Sequence, residues 1–338
     1  MSHTFQPEPL PQGSPPSQGV DPRGLQEAME YVGSIAAEHG NSQSLAVRNG
    51  CVIWAGPDID NKHTIWSCTK SFMSMTLGLL IDDGRCTLQT RAADWAPALK
   101  EHYPDVTLRQ FANFTSGYRQ AGDDPMAPFT PGPPLYPPGT MFHYSQSSDE
   151  LANILTRIAA EPLRDLFRRR IAEPIGLDPA GWSWGDWGEV DGLTVCGGSG
   201  SYEKGISITA RELAKVGVLF VGGGNWRGRQ LLSRRWVEES TSPQVAVTTP
   251  VYDRQAWYQR LPGSYGLNWW VNGPTPQGRL MWPAAPPRTA AIQGNLNNFC
   301  FVIPEWQMVL VRMGTDARIT NDLYDGFFER MRKALGPR

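Results

Sequence analysis

Apolar residues recur with two different periods along this chain, and the change from one to the other marks out its elements. Leu25, Met29, Val32, Ile35 and Ala36 fall on one face at helical spacing, which predicts an amphipathic helix over residues 21–39. Two short β-type runs, 44–47 and 51–54, flank Asn49-Gly50, a dipeptide suited to a tight hairpin. The run 71–81 is apolar-rich throughout, with Leu77, Leu80 and Ile81 giving a buried face and Gly84 a natural stop. From Cys86 to about Ala180 the pattern changes to short helices and proline-punctuated loops, densest in proline over 125–139. Ser148 is placed to cap a helix through Leu151, Ile154, Leu155 and Ile158, and Thr209 with Glu212 makes a capping-box start for one through Leu213, Val216 and Leu219. Strand-like runs return at 264–271, 299–303 and 308–313, before a closing amphipathic helix over 322–335 that carries Leu323, Phe327, Met331 and Leu335.

Strands near both ends with helices between predict an α+β fold, an α/β sandwich whose antiparallel sheet is assembled from both termini and flanked by helices. The expected organisation is a flexible N-terminal lead or an extended strap at 1–22, a sheet domain from 23–85 and 181–338, and an inserted mainly helical lobe at 86–180. At 338 residues and 40% hydrophobic content, the chain can bury a core of that size. A net charge of −2 gives no electrostatic reason to expect nucleic acid or an anionic membrane as a partner. Residues 1–20 lack a basic start and an apolar stretch, and no apolar run reaches membrane-spanning length, so a cytoplasmic protein is expected. Five widely spaced cysteines fit reduced thiols better than a disulfide frame.

The chemistry is concentrated at Ser67-Cys68-Thr69-Lys70, immediately before the buried run. On a helix, a hydroxyl at i and an amine at i+3 share a face, so Lys70 is placed to take the proton of Ser67. A serine at a helix start also feels the positive end of the helix dipole, and its own N–H is available to an oxyanion. The four-residue pattern is weak alone, and a second match, Ser201 to Lys204, follows the glycine-rich 197–200 stretch and reads as loop. The Ser67 copy stands out by context, lying between a hairpin and a buried helix. The five histidines show no paired ligand spacing, so no metal site and no cofactor are expected. His63 and His143 lie near motif residues but read as structural, Cys68 as packing, and Asp149 and Glu150 as dipole partners at a helix start. Most of the thirteen tryptophans read as core; those at 182–187, Trp184 among them, and the loop from Tyr118 to Phe142 are candidates to wall an apolar acyl pocket.

Several segments in register with Ser67 carry a resemblance. They are Gly84 to Leu88, Val106 to Phe111, Thr115 to Tyr118, Pro138 to Gln146, Thr209 to Leu213, Gly224 to Gly228 and Tyr265 to Trp270. Together they resemble the serine β-lactamase and penicillin-binding-protein superfamily, nearest its class C-like branch of esterases, D-aminopeptidases and 6-aminohexanoate-dimer hydrolases. The resemblance implies Tyr144 as a proton shuttle beside Ser67 and Lys70, and Gln146 where the family has asparagine. It implies a third motif at 292–295, with Gln293 and Gly294 against the substrate and the Asn295 N–H joining that of Ser67 as oxyanion hole. No lysine or histidine stands at that third motif, which points away from carboxylate-bearing β-lactams towards neutral substrates. The expected function is a serine hydrolase that cleaves a small ester or amide through an acyl-enzyme. The alternatives are a non-turnover penicillin-binding-like sensor, or D-aminopeptidase, transpeptidase or β-lactamase activity. A small-molecule substrate is the only partner implied.

Overall fold

The computed structural model describes residues 7–34, 43–122, 124, 127–200, 202–253, 261–315 and 321–336. Asn49 and Gly50 both take positive φ, so the chain reverses in a two-residue turn between β1 (Gln43–Arg48) and β2 (Cys51–Ala55). Four strands from the C-terminal third join them: β3 (Trp270–Val271), β4 (Ala290–Gly294), β5 (Asn298–Ile303) and β6 (Met308–Met313). The order is β3-β4-β5-β6-β1-β2 with antiparallel neighbours, so both ends of the chain do build one sheet.

Side chains alternate across that sheet into two cores. Leu45, Val47, Cys300, Val302, Val309 and Val311 point into one; Ala46, Phe299, Phe301, Met308 and Leu310 point into the other. Burial on both faces is why β5 and β6 read as near-continuous apolar runs, interrupted only by Asn298 and Arg312, rather than as alternating ones. The second core is closed by α1 (Pro22–Gly33) and α5 (Asn321–Ala334), through Leu25, Met29, Phe327 and Met331. The first is closed by α2 (Thr69–Asp82) and α4 (Ala210–Val221). Every residue of α2 from Thr69 to Leu80 is buried, which explains why the sequence there is apolar nearly all round. That core runs on into the helices of the 86–180 region, including Leu108–Ala112, α3 (Ser147–Ala159) and Leu163–Phe167.

Several local expectations change. Of the strand predicted over 264–271, only Trp270–Val271 is strand; Gly266 N–H bonds back to the Trp269 carbonyl and Asn268 takes φ +59°, so the preceding residues form a turn. Helix α3 starts one residue before Ser148, which is buried inside the first turn and caps nothing. Thr209 caps α4 as expected by accepting from the Glu212 N–H at 3.1 Å, but the Glu212 carboxylate turns to Lys215 instead of completing the box. Residues 7–20 are not a loose lead: Val52 N–H bonds to the Pro11 carbonyl, Gly13 N–H bonds to that of Val52, and Leu10 and Val20 are buried, so the segment covers the β2 edge. Ile35 and Ala36 of the first predicted helix, and Ser201 of the second S-x-x-K match, lie outside the described residues. Among the described residues no helix is long and apolar enough to cross a membrane.

Candidate active site

Ser67 lies in a single 3-10 turn, Trp66–Cys68, that leads directly into α2. Trp66 takes φ +52°, a costly conformation for a side chain of that size, and the surroundings hold it there. The Thr69 hydroxyl donates to the Trp66 carbonyl at 2.8 Å and accepts from the Ile206 N–H at 2.9 Å. Gly200, at φ +77°, packs so close to the Trp66 carbonyl that a Cβ would collide with it. The serine is therefore presented on a turn fixed from both sides.

Lys70 is one helical turn on, with its side chain buried, and Nζ donates to Ser67 Oγ at 3.0 Å and to the Ser199 carbonyl at 2.7 Å. Ser67 Oγ itself donates to the same carbonyl at 3.5 Å. Burial disfavours the ammonium and lowers the Lys70 pKa to about 8, against the opposing charge of Asp149. A lysine with that pKa is within reach of its neutral form near physiological pH, with the Ser67 hydroxyl 3.0 Å away.

Tyr144 presents its ring to the same ammonium, with Nζ 4.9 Å from the ring centroid. Phe114, Trp270 and Tyr265 hold that ring at centroid distances of 4.7, 5.6 and 6.0 Å. Gln146 is half-buried at the N-cap of α3 and makes no side-chain hydrogen bond to a described residue. On the opposite side, β4 ends against the serine turn. A Cβ on Gly294 would strike the Ile65 carbonyl and lie 2.8 Å from the Cys68 nitrogen, so only glycine lets the strand approach and brings Asn295 beside the turn. Gln293 is half-buried next to it, and its side-chain oxygen is buried with no partner among the described residues. Gly294→Ala is expected to push β4 off the serine turn and lower kcat/KM by about 100-fold, read on a short acyl ester with circular dichroism as the fold control.

Tyr118 and Trp184 do not join this set, and the expectation that they wall a pocket is corrected. Tyr118 is 2% exposed, and its hydroxyl is committed to the Leu99 carbonyl at 3.0 Å. Trp184 is 3% exposed between Phe72 and Phe167, and Nε1 donates to the Gly197 carbonyl at 2.8 Å. The cavity that Trp184 borders, with Trp182 and Arg164, does not include Ser67. Arg288, the nearest cation in sequence to the third motif, faces a separate cavity with Phe220 and Arg234. His63 is held by Gln43 and Thr64. Ser199 and Asp149 are site residues that motif spacing did not find: one lies 132 positions from Ser67, and the other had a sufficient local explanation as a dipole partner. The one available signal was the glycine-rich stretch before Ser199, a place where backbone approaches something closely.

A model of the Beta-lactamase family matches residues 45–327, a span that includes all of these positions. This chain belongs to the beta-lactamase family. It has the beta-lactamase fold, and its likeness to solved structures of that fold extends over most of its length. It is 27% identical over 248 residues to the 6-aminohexanoate-dimer hydrolase of Paenarthrobacter ureafaciens, covering 65% of this chain and 60% of that protein's length. Among solved structures, it is similar to a penicillin-binding protein homologue of Caulobacter crescentus at 15% identity and a TM-score of 0.72, over 96% of this chain and 99% of the other. It is also similar to EstA of Arthrobacter nitroguajacolicus at 15% identity and a TM-score of 0.67, over 91% and 97% of the two chains. At those identities the structural likeness speaks for the beta-lactamase fold alone.

Proposed function

We propose that this protein hydrolyses small neutral esters or amides through a covalent acyl-enzyme, with Ser67 as nucleophile and Lys70 as its base. The observation that carries the reading is the buried Lys70 amine 3.0 Å from Ser67 Oγ. Neutral Lys70 takes the hydroxyl proton as Oγ attacks the carbonyl carbon, and the N–H groups of Ser67 and Asn295 receive the developing negative charge. Tyr144 passes the proton to the leaving group and then draws one from the water that frees the serine. Neutral substrates are favoured because the third motif supplies glutamine, glycine and asparagine and no cation. The P. ureafaciens relative is named as a hydrolase of the 6-aminohexanoate dimer, a compound of amino-acid units, which supports keeping amides beside esters.

A second reading, a binding protein that acylates without turnover, draws on Gln146. Its unengaged amide occupies the position where the family's asparagine is expected. Mixing the enzyme with p-nitrophenyl acetate decides between the two. A burst followed by steady nitrophenol release supports the hydrolase, and a stoichiometric burst with a persistent acetyl adduct by intact mass supports the sensor. For the hydrolase, kcat/KM is expected to rise about tenfold per pH unit below a limb near pH 8, because only deprotonated Lys70 can act as base and its fraction grows until the pH passes that pKa. A flat profile across that range would remove Lys70 as the base.

A further inference from the structure

Asp149 lies in the first turn of α3, 1% exposed, and makes no ion-pair contact with a described residue. Its Oδ1 accepts from the N–H groups of both Gly198 and Ser199, at 2.8 and 2.7 Å. The same short segment delivers the Ser199 carbonyl to Lys70 Nζ. Its path is narrow: a Cβ on Gly198 would collide with the Ser148 carbonyl and meet Met73 Sδ at 2.6 Å, and Gly200 is pressed against the serine turn. The segment is thus wedged between the starts of α3 and α2, and Asp149 is the side chain that fastens it.

We infer that Asp149 is a positioning residue for Lys70, holding Gly198 and Ser199 so that the Ser199 carbonyl orients the lysine amine towards Ser67 and supplying the negative charge that balances its ammonium. This rests on the reading of Ser67 and Lys70 given above. A helix cap alone does not account for the residue. Two N–H donors are satisfied equally by a neutral asparagine, whereas a buried carboxylate carries a desolvation cost that needs an electrostatic return. The groups facing Lys70 are few: Ser67 and the Cys68 thiol on its own turn, the Tyr144 ring, and Asp149 beyond the Ser199 peptide. Burial pushes the Cys68 thiol well up, so it stays protonated; burial also raises the Asp149 carboxyl, opposed by its hydrogen bonds from Ser199 and Gly198 and by the Lys70 charge, contacts that favour its ionised form. The Asp149 charge works against the desolvation of Lys70, so it helps set the pH at which the lysine yields its proton.

The test compares wild type with Asp149→Asn and Asp149→Ala, following kcat and KM for p-nitrophenyl acetate from about pH 5.5 to 10, with circular dichroism and Tm as fold controls. Asparagine keeps an acceptor oxygen and loses the charge. The acid limb of kcat/KM is therefore expected to move about one pH unit lower, with the plateau held within about tenfold. Alanine frees the segment, and kcat is expected to fall about 10- to 100-fold with KM within about threefold. An Asp149→Asn limb superimposed on that of wild type, with wild-type kcat in Asp149→Ala, overturns the inference. Should Asp149→Ala fail to fold, the Asp149→Asn limb decides alone: displaced, it supports the role; coincident, it ends it. Ser67→Ala in the same assay separates the two failures. Turnover surviving in Ser67→Ala removes the underlying reading and this inference with it, whereas an inactive Ser67→Ala beside an unmoved Asp149→Asn limb and wild-type kcat in Asp149→Ala removes the positioning role only.

Discussion

Ser67→Ala is expected to lose turnover of short acyl esters by about 10⁴-fold or more while Tm stays within a few degrees of wild type. The nucleophile forms the bond that breaks the substrate, so no neighbouring group replaces it, and residual activity would come only from the oxyanion donors and from binding. The structural cost is small because Ser67 is half-buried and Lys70 Nζ retains its 2.7 Å bond to the Ser199 carbonyl. Steady-state kinetics together with intact mass after a fluorophosphonate reads both halves: no turnover and no adduct. Wild-type rates in this variant would end the acyl-enzyme reading.

Lys70→Met carries the second large effect. Methionine fills much of the lysine's volume without a base, and acylation is expected to slow by about 10³-fold or more. The limb near pH 8 should vanish with it, since its titrating group is gone. Removing the amine leaves the Ser199 carbonyl with the longer 3.5 Å bond from Ser67 Oγ and Asp149 without its nearby cation. Some loss of stability, about 1–3 kcal/mol, is expected from those stranded groups. A pre-steady-state burst with wild-type rate constant in Lys70→Met would transfer the base role to another group, and Tyr144, whose ring faces the same ammonium, would be the next to vary.

Both effects were legible in the same way. Ser67 and Lys70 are three positions apart across a 3-10 turn that runs straight into α2, and such a continuous helical path places them together whatever the rest of the chain does, so a linear pattern was enough. The Asn49-Gly50 hairpin and the terminal strands were readable for the same reason, being set by local dihedral preference and side-chain alternation. Tyr144 and Gly294 required a resemblance spanning several motifs, because nothing local ties a tyrosine 77 positions away to that serine.

Sequence by itself determined four of the sheet's six strands, β1, β2, β5 and β6, the central buried helix and the adjacency of an alcohol and an amine, all of which follow from periodicity within a few residues. Tertiary structure alone decided that the Ser199 carbonyl completes the lysine's hydrogen bonds, that a buried Asp149 fastens that carbonyl, and that Tyr118 and Trp184 belong to the core. These depend on contacts between residues many positions apart, such as Asp149 with Gly198, where the chain's path through space, and not any local preference, sets which groups meet and which are removed from water.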